Sequence, residues 1–122
     1  MMPGDALILI VEDELLISMD IETALSEGGY VNIASFANCS DAQAWLKMNI
    51  PAAAILDINL REGSSGPVAQ QLIERSVPFI VSSGERFGSQ HEAVFQAGTW
   101  IGKPIDPEEL LGSLATCLQQ TT

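Results

Sequence analysis

Positive charge is what this chain has least of. Only five Lys and Arg stand against sixteen Asp and Glu, giving a formal net charge of −11. Nucleic-acid binding draws its affinity from neutralised phosphates, so this balance argues against a nucleic-acid partner. Cysteine is scarce too. Cys39 and Cys117 are too few for a disulfide framework and lack CxxC spacing. Each falls in an apolar pattern, which predicts buried free thiols. No apolar run approaches the roughly 18 residues of a membrane helix. The start, Met1-Met2-Pro3-Gly4-Asp5, lacks the basic region of a secretory signal. The expected location is therefore cytoplasmic, with no membrane contact. The single histidine, His91, has no partner motif nearby and reads as an exposed helical residue.

What is present points to one globular domain over residues 1–122, with its core at about 6–118. The hydrophobic share is 47%, enough for a substantial core. Two unbroken apolar runs stand out. Ala6-Leu7-Ile8-Leu9-Ile10-Val11 closes with Glu12-Asp13-Glu14, and the run from Ala52 to Leu56 closes with Asp57-Ile58-Asn59-Leu60. Such runs mark strands covered on both faces, as in a parallel sheet. A carboxylate inside the sheet is costly, so Asp57 should emerge at the strand's C-terminal edge. That edge is where open α/β sheets bind ligands.

Helical spacing fills the intervals. Ile17, Ile21, Ala24 and Leu25 form one stripe, stopped by Gly28-Gly29. Tyr30 to Phe36 reads as a strand. Ser40 and Gln43 read as a capping box opening a helix with Ala42, Trp45 and Leu46 inward. Arg61 to Gly66 reads as a loop, and Pro67 as the first residue of a helix with Val68, Leu72 and Ile73 inward. Pro78 to Ser82 is a strand, about Ser89 to Ala97 a short helix with Val94 and Phe95 inward, and Thr99 to Gly102 the last strand. Asp106-Pro107-Glu108-Glu109 opens a final helix whose buried stripe is Leu110, Leu111, Leu114 and Leu118. Five strand–helix units in strict alternation predict an α/β fold, a five-stranded doubly wound parallel sheet.

Parallel strands bring their C-terminal ends to one cleft, which here gathers Glu12, Asp13, Asp57, Asn59, Ser83 and Lys103. Three carboxylates together call for a cation, and hard oxygen ligands suit Mg²⁺. A carboxylate beside Mg²⁺, with a lysine opposite, is arranged to attack phosphorus and form an aspartyl phosphate. Taken singly, each residue has a plainer reading. An Asp at a strand end can be a turn former, Glu12-Asp13-Glu14 an acidic first helical turn, Ser83 a turn residue, and Lys103 a solvated charge. Trp45 and Trp100 both fit a core.

Taken together, Val11-Glu12-Asp13-Glu14, Leu56-Asp57-Ile58-Asn59-Leu60, Val81-Ser82-Ser83-Gly84 and Gly102-Lys103-Pro104 resemble the receiver domain of bacterial two-component response regulators. The resemblance covers essentially the whole chain. It implies a flavodoxin-like, CheY-like (βα)5 fold with strand order 2-1-3-4-5. Asp57 would be the phosphoacceptor, serving a histidine kinase or phosphotransfer protein. Mg²⁺ (or Mn²⁺) would sit on Asp13, Asp57, the Asn59 main-chain carbonyl and, through water, Glu12. Lys103 would pair with phosphoryl oxygens, ahead of a cis bond to Pro104. Ser83 and Trp100 would be the switch pair, Ser83 being favoured over its neighbour Ser82. Asn59 and Glu85 would tune hydrolysis of the aspartyl phosphate. A downstream protein would dock on the face of the fourth helix, fifth strand and fifth helix, from about His91 onward. Many receivers carry proline four residues after the phosphoacceptor; here Arg61 stands there, in a loop one residue longer than usual. In this the segment is similar to alphaproteobacterial stand-alone receivers, which often work with HWE-type histidine kinases, and a stand-alone chain is the expectation.

Other classes fit less well. An aspartyl-phosphate phosphatase or phosphotransferase commonly needs Asp two residues after its nucleophile, where this chain has Asn59. A flavin or dinucleotide would meet acids where it needs glycines. A phosphorylation-independent interaction module stays open as an alternative, although every residue of the site is intact. The expectation is a switch that catalyses only its own phosphorylation and dephosphorylation, not a turnover enzyme.

Overall fold

The two unbroken apolar runs become the middle of the sheet. In a computed structural model describing residues 3–84 and 93–119, β1 (Leu7–Val11) lies between β2 (Asn32–Phe36) and β3 (Ala53–Asp57). The sheet continues through β6 (Phe79–Ser83) to β7 (Thr99–Gly102), every pair parallel. The order β2-β1-β3-β6-β7 is the predicted 2-1-3-4-5 once two short strands outside the sheet are set aside. Those are β4 (Asn59–Leu60) and β5 (Gly63–Ser64), an antiparallel hairpin in the segment read from sequence as strand end and loop.

Alternation along the strands divides the core in two. Leu9, Val11, Ala54, Leu56, Phe79 and Val81 face α2 (Cys39–Leu46) and α3 (Gly66–Glu74), with Phe95 closing that layer. Ile8, Ile10, Ala53, Ile55, Ile80 and Ile101 face α1 (Leu15–Glu27) and α4 (Pro107–Gln119). Cys39 and Cys117, one in each layer, are both buried and outside any disulfide. Within the described residues no helix is long and apolar enough to cross a membrane.

Several boundaries differ from the sequence reading. α2 opens one residue before Ser40, because Asn38 is the cap: its side chain accepts the Asp41 N–H at 2.8 Å, so Ser40 lies within the first turn. β2 starts at Asn32 and not Tyr30, since residues 28–30 are spent closing α1. The N–H groups of Gly28, Gly29 and Tyr30 donate to the carbonyls of Ala24, Ser26 and Leu25, and Gly29 takes φ 94°. On α3, Val68, Ala69 and Leu72 are buried while Ile73 is 37% exposed, one position around from the inward stripe. On α4 the fully buried stripe is Leu110, Leu114 and Cys117, with Leu111 and Leu118 at its margins.

In the fourth crossover the described part of the short helix expected from about Ser89 to Ala97 is a 3-10 helix, Ala93–Ala97. Residues 85–92, and with them Glu85 and His91, lie outside the described residues. Phe95 is fully buried and Val94 half-buried, as the spacing predicts. Gly98 ends the turn under close quarters: a Cβ there would fall 2.6 Å from the Phe79 ring.

Candidate functional site

Four strand ends build one cleft. β1 runs on through Glu12, whose N–H still donates to the Phe36 carbonyl at 3.1 Å, so the acid leaves the sheet held by the ladder. The residue is 3% exposed, and its Oε2 accepts the Glu14 N–H at 3.1 Å. β3 ends at Asp57, which is 7% exposed. Glu12, Asp13 and Asp57 each offer an oxygen within 4.8 Å of the others. Lys103, just past β7, reaches across β6 to place Nζ 3.2 Å from Asp57 Oδ1 and 3.4 Å from Glu12 Oε1. The Lys103–Pro104 peptide is cis, as the resemblance implied.

One ammonium stands among three carboxylates. Burial pushes the Glu12 carboxyl up from 4.5, and the Asp57 charge adds to that; the Glu14 N–H and Lys103 oppose without cancelling it. For Lys103 burial is the largest single influence and pulls its pKa down. The charges of Asp57 and Glu12 outweigh it, so the ammonium ends above 10.5. Glu12 Oε1 is buried without a hydrogen-bond partner, its contact with Lys103 being an ion pair. Three hard oxygen donors, one of them short of hydrogen bonds, suit a divalent cation such as Mg²⁺.

Ser83, Asn59 and Trp100 occupy β6, β4 and β7. Ser82 is in register with Asp57, and Ser83 lies one residue further on, at the end of β6; both are buried. By the alternation of β6, Ser82 shares the face of Ile80 and Ser83 that of Val81. Ser82 Oγ has no hydrogen-bond partner. Asn59 sits in β4, exposed and paired with Ser64. Trp100 pairs in register with Val81 and packs on the α2/α3 layer, its indole N–H donating to the Phe95 carbonyl at 2.9 Å.

Two residues that sequence reasoning passed over also act here. Ser65 is fully buried, and its hydroxyl donates to the Asp57 main-chain carbonyl at 2.6 Å while its N–H donates to the Ile58 carbonyl at 2.9 Å. Ser65 precedes α3 yet makes no side-chain cap, because its hydroxyl is turned to Asp57. A signal for it exists: a serine immediately before Gly66-Pro67 is a cap-type residue at a helix start. Glu62 is the other, its carboxylate accepting the Cys39 N–H at the start of α2. Nothing in its spacing singles it out.

Residues 8–115 match the response regulator receiver domain. The chain belongs to that family. Among curated relatives, the receiver is 31% identical over 121 residues to the transcriptional regulatory protein YvrH of Bacillus subtilis (strain 168), covering 96% of this chain and 51% of YvrH. It spans about half the length of the curated relatives it matches. Among solved structures, SdrG from Sphingomonas melonis Fr1 superposes with a TM-score of 0.78 at 34% identity, over 94% of this chain and 98% of SdrG. The receiver domain of the sensor histidine kinase PA1611 from Pseudomonas aeruginosa PAO1, solved with magnesium in its active-site cleft, superposes at 0.81. At 23% identity, over 93% of this chain and 98% of that one, it bears on the fold alone.

Proposed function

We propose that this receiver takes a phosphoryl group onto Asp57 from a phosphohistidine of a histidine kinase or phosphotransfer protein. A carboxylate oxygen of Asp57 bonds to phosphorus as the P–N bond breaks, and the imidazole leaves with the bonding pair. The observation that carries the reading is Lys103 Nζ at 3.2 Å from Asp57 Oδ1, with Glu12 and Asp13 grouped on the same carboxylate. That lysine faces the charge that develops on the phosphoryl oxygens. Asp13, Asp57 and the Asn59 main-chain carbonyl would hold Mg²⁺ (or Mn²⁺), with Glu12 acting through water. The cation supplies further charge neutralisation. Ser83, buried at the end of the neighbouring strand, would then bind a phosphoryl oxygen, with Trp100 as its switch partner. Asn59 and Glu85 would orient the water that later hydrolyses the acyl phosphate, so the protein catalyses its own phosphorylation and its reversal and no other turnover.

Leu15, Leu16 and Met19 stand exposed on the first turns of α1, directly after the acids. They offer a histidine-bearing partner an apolar surface beside the cleft. The downstream partner, on the same proposal, uses the face of the fourth crossover, β7 and α4. A cytoplasmic location belongs to this reading.

The test is incubation with Mg²⁺ and acetyl phosphate followed by intact-mass measurement. One added phosphoryl group is expected on the native protein and none on Asp57→Asn. Equal labelling of the two sinks the assignment.

A further inference from the structure

Arg61 and Glu62 are the two turn residues of the β4–β5 hairpin, and each reaches a different part of the molecule. The Arg61 N–H donates to Asp13 Oδ2 at 2.5 Å. The Glu62 carboxylate accepts the Cys39 N–H, the first donor of α2. A second bond ties the same corner: Cys39 Sγ donates to the Ser64 carbonyl at 3.4 Å. The base of the hairpin is fastened by Ser65 to the carbonyls of Asp57 and Ile58. Gly63, at φ 135°, supplies the left-handed backbone that lets the chain turn back after Glu62.

The turn is thus pinned on three sides, and one of the pins is an acid of the cation site. A carboxylate has two oxygens. With Oδ2 of Asp13 given to Arg61, the other is left for a cation. A donor on a ligating carboxylate fixes its orientation and raises metal affinity. This donor is a main-chain group, so its position depends on the turn, and the turn's outer end is held by Glu62. An acid at the start of α2 is also favoured by the helix dipole. A proline at position 61, common in the family, would have no N–H to give.

We propose that the Arg61–Glu62 turn is a positioning clamp for Asp13. The Arg61 N–H sets the carboxylate, and Glu62, gripping the N-terminus of α2 at Cys39, holds that N–H in place. The proposal rests on the divalent-cation reading of the cleft.

Calorimetric titration with Mg²⁺, paired with amide hydrogen exchange at Cys39 and Arg61, tests it on three variants. Glu62→Ala should weaken Mg²⁺ binding about ten-fold and speed exchange at both amides. Glu62 is exposed and the Asn38 cap survives its loss, so α2 should remain folded. Glu62→Gln keeps an acceptor oxygen and should recover most of the affinity. Arg61→Pro deletes the donor and should weaken Mg²⁺ binding by a similar factor while leaving exchange at Cys39 unchanged. Faster exchange at Cys39 with native Mg²⁺ affinity in Glu62→Ala would make Glu62 a helix cap and nothing more, and would overturn the clamp. Native affinity in Arg61→Pro overturns it as well. If the native protein takes up no Mg²⁺, the reading of the site fails first, and the clamp with it.

Discussion

Leu56 and Asp57 are neighbours on β3 and almost equally buried, yet their surroundings have little in common. Leu56 lies in the apolar α2/α3 layer with Val11, Val81, Val68 and Leu72, its backbone paired on both sides. Asp57, one residue on, meets a lysine and two further acids. Around it Glu12 Oε1 and Ser82 Oγ are buried without hydrogen-bond partners. The sheet interior is complete in itself, while its C-terminal edge is complete only with positive charge added. Stability is concentrated in the first region and chemical readiness in the second, and β3 belongs to both.

The largest effect should come from breaking the interior. Leu56→Ala removes a fully buried side chain between two sheet neighbours and is expected to cost about 2–5 kcal/mol. Thermal or urea melts should show the loss equally with and without Mg²⁺, because the packing has no stake in the cation. A loss that shrank when Mg²⁺ was added would mean that the two regions are not separate.

Lys103→Met breaks the edge instead. Removing one partner of a buried ion pair typically costs about 3–5 kcal/mol, but the Lys103 side chain is 19% exposed. About 2 kcal/mol is therefore expected for the protein without metal. Here added Mg²⁺ should recover part of the loss, since it supplies positive charge to the same carboxylates. Melts with and without Mg²⁺ again decide. An unchanged midpoint without metal would show that the edge does not depend on its lysine.

The same division separates what is legible in the amino-acid order from what is not. Both central strands and the grouping of Glu12, Asp13, Asp57 and Lys103 at their ends can be read there, because a run of apolar residues ending in acids has few other solutions; the strand order came with the family resemblance. The details at the edge cannot. Asn38 takes the cap of α2 from Ser40 by an Asx contact to Asp41 that depends on where the chain leaves β2. Ile73 satisfies the helical spacing but falls just outside the buried arc. The β4–β5 hairpin leaves no strand pattern, since two-residue strands have no period to display. The bond from Ser65 to Asp57 spans eight residues of chain, and hydrophobic pattern is silent on such polar contacts.

The smallest expected change has the opposite sign and separates the two regions most sharply. Glu12→Gln keeps the shape of a buried side chain while deleting one of three crowded charges. In the native protein the Glu12 carboxyl is raised above its unfolded value of 4.5, by burial first and by Asp57 next. A raised carboxyl contributes stability that is fully present below 4.5 and lost as pH climbs through the folded value. Glutamine does not titrate. The variant should therefore gain on the native protein as pH rises from about 4 to 7, reaching a higher melting midpoint at neutral pH without metal. Mg²⁺ should narrow or reverse that order, because a ligand at free concentration L that binds only the folded state raises its stability by RT ln(1 + L/Kd), more for the form that binds it more tightly. On the proposed reading, in which Glu12 reaches the cation through water, the variant offers it one negative charge fewer. Melts at pH 4 and pH 7, each with and without Mg²⁺, provide the four midpoints. If the variant is the less stable at pH 7 without metal, Glu12 is paired well enough by Lys103 to stabilise the fold, and the edge is as self-sufficient as the interior.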